Sequence, residues 1–261
     1  MTVGILEDLL ACSHELGSTA NDWAILGEGN TSARIDGERF LVKASGSQLG
    51  TLTKEQLVEV RFAPLLESLA QAKTAGAGEA PDEAMKDLLA SACVDRSGKV
   101  PSVETLFHAS LLQLPGVDVI GHTHVTSING LLCSDNGWEL MCRGGRIFPD
   151  EVVVCGVASC CVPYADPGLG LALAIDEAVD RFRGRYGVVP KTIYLQSHGF
   201  IALAGSAKEA VAITRMADKS ARIMLGSIQA GGPRFLPQSV IDRIANRPDE
   251  HHRQRQLGLR L

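Results

Sequence analysis

Residues 117–124, Val-Asp-Val-Ile-Gly-His-Thr-His, constrain the fold of this chain more than any other stretch. Mostly apolar residues running into a polar pair read as a buried strand that ends at a polar site. Side chains at i and i+2 of a strand leave the same face, so His122 and His124 point together. Two neutral imidazoles on one face suit zinc or another divalent transition metal. Such an ion needs at least one further protein ligand, a carboxylate or a third histidine. The rest of the chain has to supply it.

The candidate third ligand is His198, at the polar end of a strand over 192–195 and followed by Gly199, which permits close backbone approach. Residues 101–104 read as a helix start with Ser102 as a candidate N-cap, which puts Glu104 in the first turn, either as a fourth ligand or as a movable base. His108 sits four residues later on the same helix face and reads as structural. His14, His251 and His252 have no comparable setting. A metal with three histidine donors and an exchangeable position can hold a hydroxyl and a carbonyl together and stabilise an enediolate, while a carboxylate moves the proton. That chemistry fits aldol cleavage, and equally decarboxylation, dehydration and metal-water hydrolysis.

The flanking segments follow in order. Ile5, Leu6, Leu9, Leu10 and Leu16 form one stripe, so an amphipathic helix opens the chain and ends near Gly17. A Gly-rich loop over 26–34 leads into a hairpin, with strands at 33–35 and 39–43 around an Asp36-Gly37 turn. The second strand runs into Ala44-Ser45-Gly46-Ser47, so two small-residue loops flank one hairpin and bring N–H groups and hydroxyls toward an anion, unless both are simply turns. A strand over 57–61, helical segments over 63–73 and 81–93 and a flexible surface loop over 74–80 follow. Beyond the histidine pair the pattern predicts a short helix at 127–133 and a central strand over the β-branched run 152–157. It then gives a helix at 168–186, a strand continuing over 200–203, and a helix from a Ser206/Glu209 capping box to about Leu225. From Arg243 onward the tail is basic, and a solvated, mobile tail is the simplest reading.

Composition excludes several function classes. A net charge of −5 argues against a general nucleic-acid surface, and no apolar run approaches the roughly 20 residues that cross a bilayer. The first 17 residues carry Glu7, Asp8 and Glu15 without a basic region, so they read as neither signal nor transit peptide and the protein is expected in the cytoplasm. Seven cysteines, an odd number without CxxC spacing and mostly in apolar runs, read as reduced core residues.

Six motifs in this order resemble the class II aldolase/adducin family: Gly-Glu-Gly-Asn-Thr-Ser (27–32), Lys-Ala-Ser-Gly (43–46), Pro-Ser-Val-Glu-Thr (101–105), Gly-His-Thr-His (121–124), Val-Pro-Tyr (162–164) and Ser-His-Gly (197–199). The nearest look is to bacterial members related to the rhamnulose-phosphate aldolase type and, more distantly, to L-fuculose-phosphate aldolases and ribulose-phosphate epimerases. The resemblance implies one α/β domain over 1–261 with a central, mainly antiparallel sheet covered by helices, instead of the parallel sheet that strand–helix alternation suggests. It also implies a fourfold-symmetric homotetramer with active sites between neighbouring subunits. His122, His124 and His198 would bind the metal, most often Zn2+, with Mn2+ or Co2+ as alternatives, and Glu104 would be the acid/base that also touches it. The phosphate of a ketose phosphate or dihydroxyacetone phosphate would lie against Asn30, Ser45, Gly46 and Ser102, with charge from Lys43.

Two departures bear on the reaction. Val103 stands where fuculose-phosphate-type members usually have a second serine, and no tyrosine lies between His124 and Val152, where those aldolases place a proton donor that reaches the neighbouring site. Asp150 or Glu151 stands in roughly that stretch, as an Asp does in the epimerases, and is either a second acid/base or an exposed loop acid. Tyr164 matches a family tyrosine that looks structural. The implied activity is metal-dependent cleavage of a phosphorylated sugar; decarboxylation, dehydration or epimerisation on the same scaffold, or an adducin-like scaffold without chemistry, are the alternatives.

Overall fold

Period-two burial along the strands sets the layering. The computed structural model describes residues 2–76, 82–95, 98–143, 145–256 and 258–259. Within them β1 (Asn30–Arg34), β2 (Arg39–Lys43), β3 (Leu57–Arg61), β4 (Val119–Thr123), β5 (Cys160–Val162), β6 (Thr192–Leu195) and β7 (Gly199–Ala204) form one sheet of order β3-β2-β1-β4-β7-β6-β5. Only the β5–β6 pair is parallel; every other pair is antiparallel. The sheet is therefore mainly antiparallel, as the resemblance implies.

Helices cover both faces. Phe40, Val42, Val60, Ile120, Ile201 and Leu203 point to one side, against α2 (Phe62–Ala75), α3 (Asp82–Ala92), α4 (Thr105–Leu111) and α8 (Leu169–Tyr186). Ala33, Leu41, Val119, Tyr194, Phe200 and Ala202 point to the other. There they meet α1 (Thr2–Leu16), α5 (Thr126–Leu132), α6 (Asp135–Cys142), α7 (Pro149–Cys155), α9 (Ala207–Gln229) and α10 (Gln238–Ala245). Each fully buried aliphatic side chain contributes roughly 1.5–3 kcal/mol, so the two cores together hold β4 and β7 at the centre of the sandwich.

Three expectations need correction. The run 152–157 is not a strand: Pro149 occupies the first helical positions, Asp150 and Glu151 the first turn, and Gly156 ends α7 with φ 81°. Val152, Val153 and Val154 are all buried, and an unbroken apolar run carries no alternation to separate strand from buried helix. The tail is not simply solvated, because α11 (Pro248–Gln256) packs on α7 and buried Gln254 donates to the Val153 carbonyl at 2.8 Å. Among the cysteines, Cys133 and Cys142 are exposed rather than core. Smaller shifts concern ends: α4 begins at Thr105, leaving Glu104 at its N-cap, and α9 runs to Gln229. Most of the loop expected at 74–80 lies outside the described residues.

A buried cation ties the first turn of α7 to the chain that leaves its end. Arg146, fully buried, donates to the carbonyls of Cys155, Gly156 and Ala158 at 2.6–2.7 Å, to Ser159 Oγ at 3.1 Å and to Glu151 at 3.3 Å. No helix of the described residues is long and apolar enough to cross a membrane.

Candidate metal centre

The three histidines converge from two adjacent strands. His122 lies in register with Asn30 of β1 and Ile201 of β7, at the centre of the sheet, and is fully buried. Its Nδ1 donates to the Phe200 carbonyl at 3.0 Å, which aims Nε2 at the site. His124 follows β4; its Nε2 is 3.3 Å from His122 Nε2 and its Nδ1 is 3.8 Å from a Glu28 oxygen. His198 sits in the tight turn between β6 and β7, where Ser197 adopts φ 52°. The three ring centroids are 5.0–5.1 Å apart, and the three ligand atoms lie within 4.8 Å of one another.

Gly199 makes this convergence sterically possible. A Cβ there would stand 2.7 Å from the Thr123 carbonyl oxygen, 2.8 Å from His124 Cδ2 and 3.1 Å from His122 Cε1. Gly29, with φ 65°, plays the matching part on the other side of β4, where a Cβ would meet the His122 carbonyl oxygen at 2.4 Å.

Glu104 completes the cluster. Its Oε1 is 3.2 Å from His198 Nε2 and its Oε2 is 3.5 Å from His122 Nε2, while Asn30 Nδ2 donates to Oε2 at 2.6 Å. Burial alone would raise the Glu104 pKa, but His122 and His198 bring it well below the usual carboxylate range. Burial likewise opposes a charge on His122, yet Glu104 raises its pKa above the ordinary value. His124 is pushed down to about 3, by burial first and then by His122 and His198. One carboxylate held ionised among three imidazoles, with the Phe200 carbonyl already fixing the His122 ring, fits a divalent transition ion. The Nδ1 of His198 is buried and has no hydrogen-bond partner among the described residues.

The expected anion loops meet beside this cluster. Ala44 bridges Pro101, and Ser45 N donates to the Val100 carbonyl at 2.9 Å, which brings Ser45 and Gly46 alongside Ser102. Ser102 Oγ accepts from the Glu104 N–H at 3.3 Å. Lys43 is buried, and its ammonium donates to the Ser47 carbonyl at 2.6 Å and the Gly27 carbonyl at 3.4 Å, tying the two loops together instead of facing solvent. Burial lowers its pKa, with Glu104 opposing. Asp150 stands in the first turn of α7, a helix packed on α9, α10 and α11, so the structure does not group it with the hydrogen-bonded set around Glu104. Glu151 is committed to Arg146 and to the Ile147 N–H at 2.9 Å. Tyr164 is exposed, and its hydroxyl donates to Asp166 at 2.8 Å.

Sequence reasoning missed Glu28 as the partner of His124; its place in the Gly-rich loop beside Asn30 was the only available signal. It also missed how His108 is used. That ring is fully buried, with Nδ1 2.6 Å from Ser32 Oγ and Nε2 against Asn30 Oδ1.

The model for the class II aldolase and adducin N-terminal domain matches residues 7–225. The oxidoreductase YuxG of Bacillus subtilis (strain 168), itself uncharacterised, is 30% identical over 184 residues, 67% of this chain and 23% of YuxG, so the chain spans about a quarter of that relative. Among solved structures, an L-fuculose 1-phosphate aldolase superposes with a TM-score of 0.68 at 17% identity, covering 93% of this chain and 94% of that one. YgbL of Escherichia coli, for which aldolase, epimerase and decarboxylase are offered as alternatives, gives 0.66 at 19% identity over 93% and 98%. Both resemblances lie in the fold. With the family match covering most of its length and the trihistidine cluster in place, the chain belongs to the class II aldolase and adducin family.

Proposed function

We propose that the protein is a divalent-metal-dependent lyase that cleaves a ketose phosphate or related phosphorylated sugar by a retro-aldol reaction, working as a homotetramer with sites between subunits. The observation that carries this reading is Glu104 held between His122 and His198, an ionised carboxylate beside three converging imidazoles. His122, His124 and His198 would hold the ion, Zn2+ first and Mn2+ or Co2+ as alternatives. A bound ion would supply Lewis-acid stabilisation of the charge that develops on adjacent substrate oxygens.

The chain's own groups do the rest. Glu104 accepts and returns the proton beside the bond that breaks. The backbone and hydroxyls of Ser45, Gly46 and Ser102 cradle the phosphate, and Asn30 borders it while donating to Glu104. Lys43 contributes by fixing the cradle's shape. Asp150 would serve as the second acid/base from a neighbouring subunit, replacing the tyrosine this sequence lacks. That replacement, together with Val103 at 39% exposure where a serine would offer a hydroxyl, favours one second reading: a decarboxylase, dehydratase or epimerase of a sugar-acid or sugar phosphate.

The test is a product screen on metal-loaded protein. Ketose phosphates should release dihydroxyacetone phosphate, and Glu104→Gln should keep the metal while lowering turnover ~10²-fold or more. Carbon dioxide from a sugar-acid phosphate, with no triose phosphate from any ketose phosphate, overturns the lyase assignment in favour of the second reading. Near-normal turnover in Glu104→Gln removes that residue from the mechanism.

A further inference from the structure

Behind the candidate centre runs a buried file of four polar side chains, two of which, Ser32 and His108, the proposed chemistry does not itself use. Ser32 Oγ lies 2.6 Å from His108 Nδ1, His108 Nε2 meets Asn30 Oδ1, and Asn30 Nδ2 donates to Glu104 Oε2 at 2.6 Å. The local folding that builds it is simple. Asn30 and Ser32 are two apart on β1 and share a face, and that face packs under α4, which carries His108 one turn beyond Glu104. Asn30, Ser32 and His108 are all at most 2% exposed, so none can turn to water for a substitute partner. Phe107 stacks on the His108 ring at a centroid distance of 4.6 Å and holds its plane.

The chemistry of the four groups gives the file a direction. An ionised carboxylate only accepts, so Asn30 must present its NH2 to Glu104 and its carbonyl oxygen to His108. His108 must then donate from Nε2, and its Nδ1 lone pair accepts from the Ser32 hydroxyl. Every donor in the file thus points toward Glu104. Burial, aided by His122, pushes the His108 pKa down to about 3, consistent with a neutral ring bearing one proton.

We propose that His108, backed by Ser32, is a positioning residue: it locks the Asn30 amide in the one orientation that ties down Oε2 of Glu104, leaving Oε1 turned toward His198 as the oxygen that moves the proton. The consequence for the reaction rests on Glu104 being the acid/base proposed above; the file itself does not. Reversing the Asn30 amide would set its carbonyl against a carboxylate oxygen and its NH2 against a donor, so a change at His108 is felt two side chains away.

The experiment uses the full chain, metal-free, with nitrogen-15 in its histidine and asparagine side chains. Nuclear magnetic resonance should find His108 neutral with its proton on Nε2, and the Asn30 side-chain amide protons protected from exchange. His108→Leu should accelerate that exchange by about tenfold or more, Ser32→Ala by less, and His108→Gln, which can still donate to Asn30, should restore protection. Titration with Co2+ alone should give His108→Leu an altered visible spectrum and His108→Gln the wild-type one, a difference that lost packing alone does not produce. A proton on Nδ1, unchanged Asn30 exchange in His108→Leu, or equal loss in the Leu and Gln variants overturns the proposal. If His108→Leu does not fold, the wild-type tautomer and Ser32→Ala decide. A wild-type protein that takes up no Co2+ would remove the metal reading instead, with the tautomer and exchange results still deciding the file.

Discussion

Adding one methyl group at Gly199 should loosen the candidate metal centre without replacing a ligand. In Gly199→Ala the new Cβ would lie 2.7 Å from the Thr123 carbonyl oxygen and 2.8 Å from His124 Cδ2. That is about 0.6–0.7 Å short of ordinary van der Waals contact. Neither neighbour is the free end of a flexible side chain: one is strand backbone, and the other is the ring of a residue whose backbone N–H donates to the Trp23 carbonyl at 2.9 Å. The β4–β7 pair therefore has to part, or His124 has to swing. Metal–nitrogen distances tolerate only about ±0.2 Å, so either response exceeds what the centre can absorb. By analogy with lost outer partners of metal ligands, affinity should fall on the order of 10–100-fold. Overpacking should also cost about 1–3 kcal/mol of folding free energy, at roughly 2–4 °C of Tm per kcal/mol. Competition for Zn2+ against a chromophoric chelator reads the first effect, and calorimetry of the metal-free protein the second. Affinity within twofold of wild type together with an unchanged Tm would refute the steric argument.

Three further outcomes follow from the same geometry. His122→Ala with His124→Ala should abolish metal uptake and leave a folded oligomer, checked by elemental analysis and gel filtration; stoichiometric metal in the double variant would end the ligand assignment. Arg146→Met should destabilise the protein by about 3–5 kcal/mol in urea, because Glu151 and three backbone carbonyls lose a buried cation; a loss below about 1 kcal/mol would show that they find other partners. His108, folded pKa about 3 against about 6.5 unfolded, contributes stability that is present above pH 6.5 and lost as pH falls toward 3, because the unfolded chain binds the proton first. The metal-free wild type should thus lose about 1.4 kcal/mol per pH unit more than His108→Gln between about pH 5.5 and 3.5, and parallel curves would contradict this.

Most of the centre was legible because each donor sits at a place where the period of the chain forces its direction. His122 and His124 share a strand face, and Gly199 after His198 announced a close approach that the structure makes to Thr123 and both other histidines. What could not be read were facts of pairing. Nothing in the composition of β1 says that Asn30 lies opposite His122, or that Lys43 turns inward to two carbonyls instead of outward to an anion. The run 152–157 failed for a different reason: α7 is buried on several sides by α9, α10 and α11, so its valines carry no polar face that could reveal a helical period. The basic tail was read by its charge, whereas Gln254 and Leu259, both buried, hold it against the body.

The position of β7 has a consequence in time. It is the last strand in the sequence, yet it lies between β4 and β6 in the middle of the sheet, and it places Phe200 against His122 across 78 residues of chain. During synthesis at about 5–20 residues per second, His122 therefore waits roughly 4–16 s for the carbonyl that orients it. Until then β4 is paired on one side only, with β1, and two histidines without their third partner offer an ion an open chelate in which His122 lacks the carbonyl that orients it. A ribosome-bound chain stopped before His198 should take up zinc weakly and release it readily. Tight capture of the ion would then mark the closing of the sheet rather than its beginning.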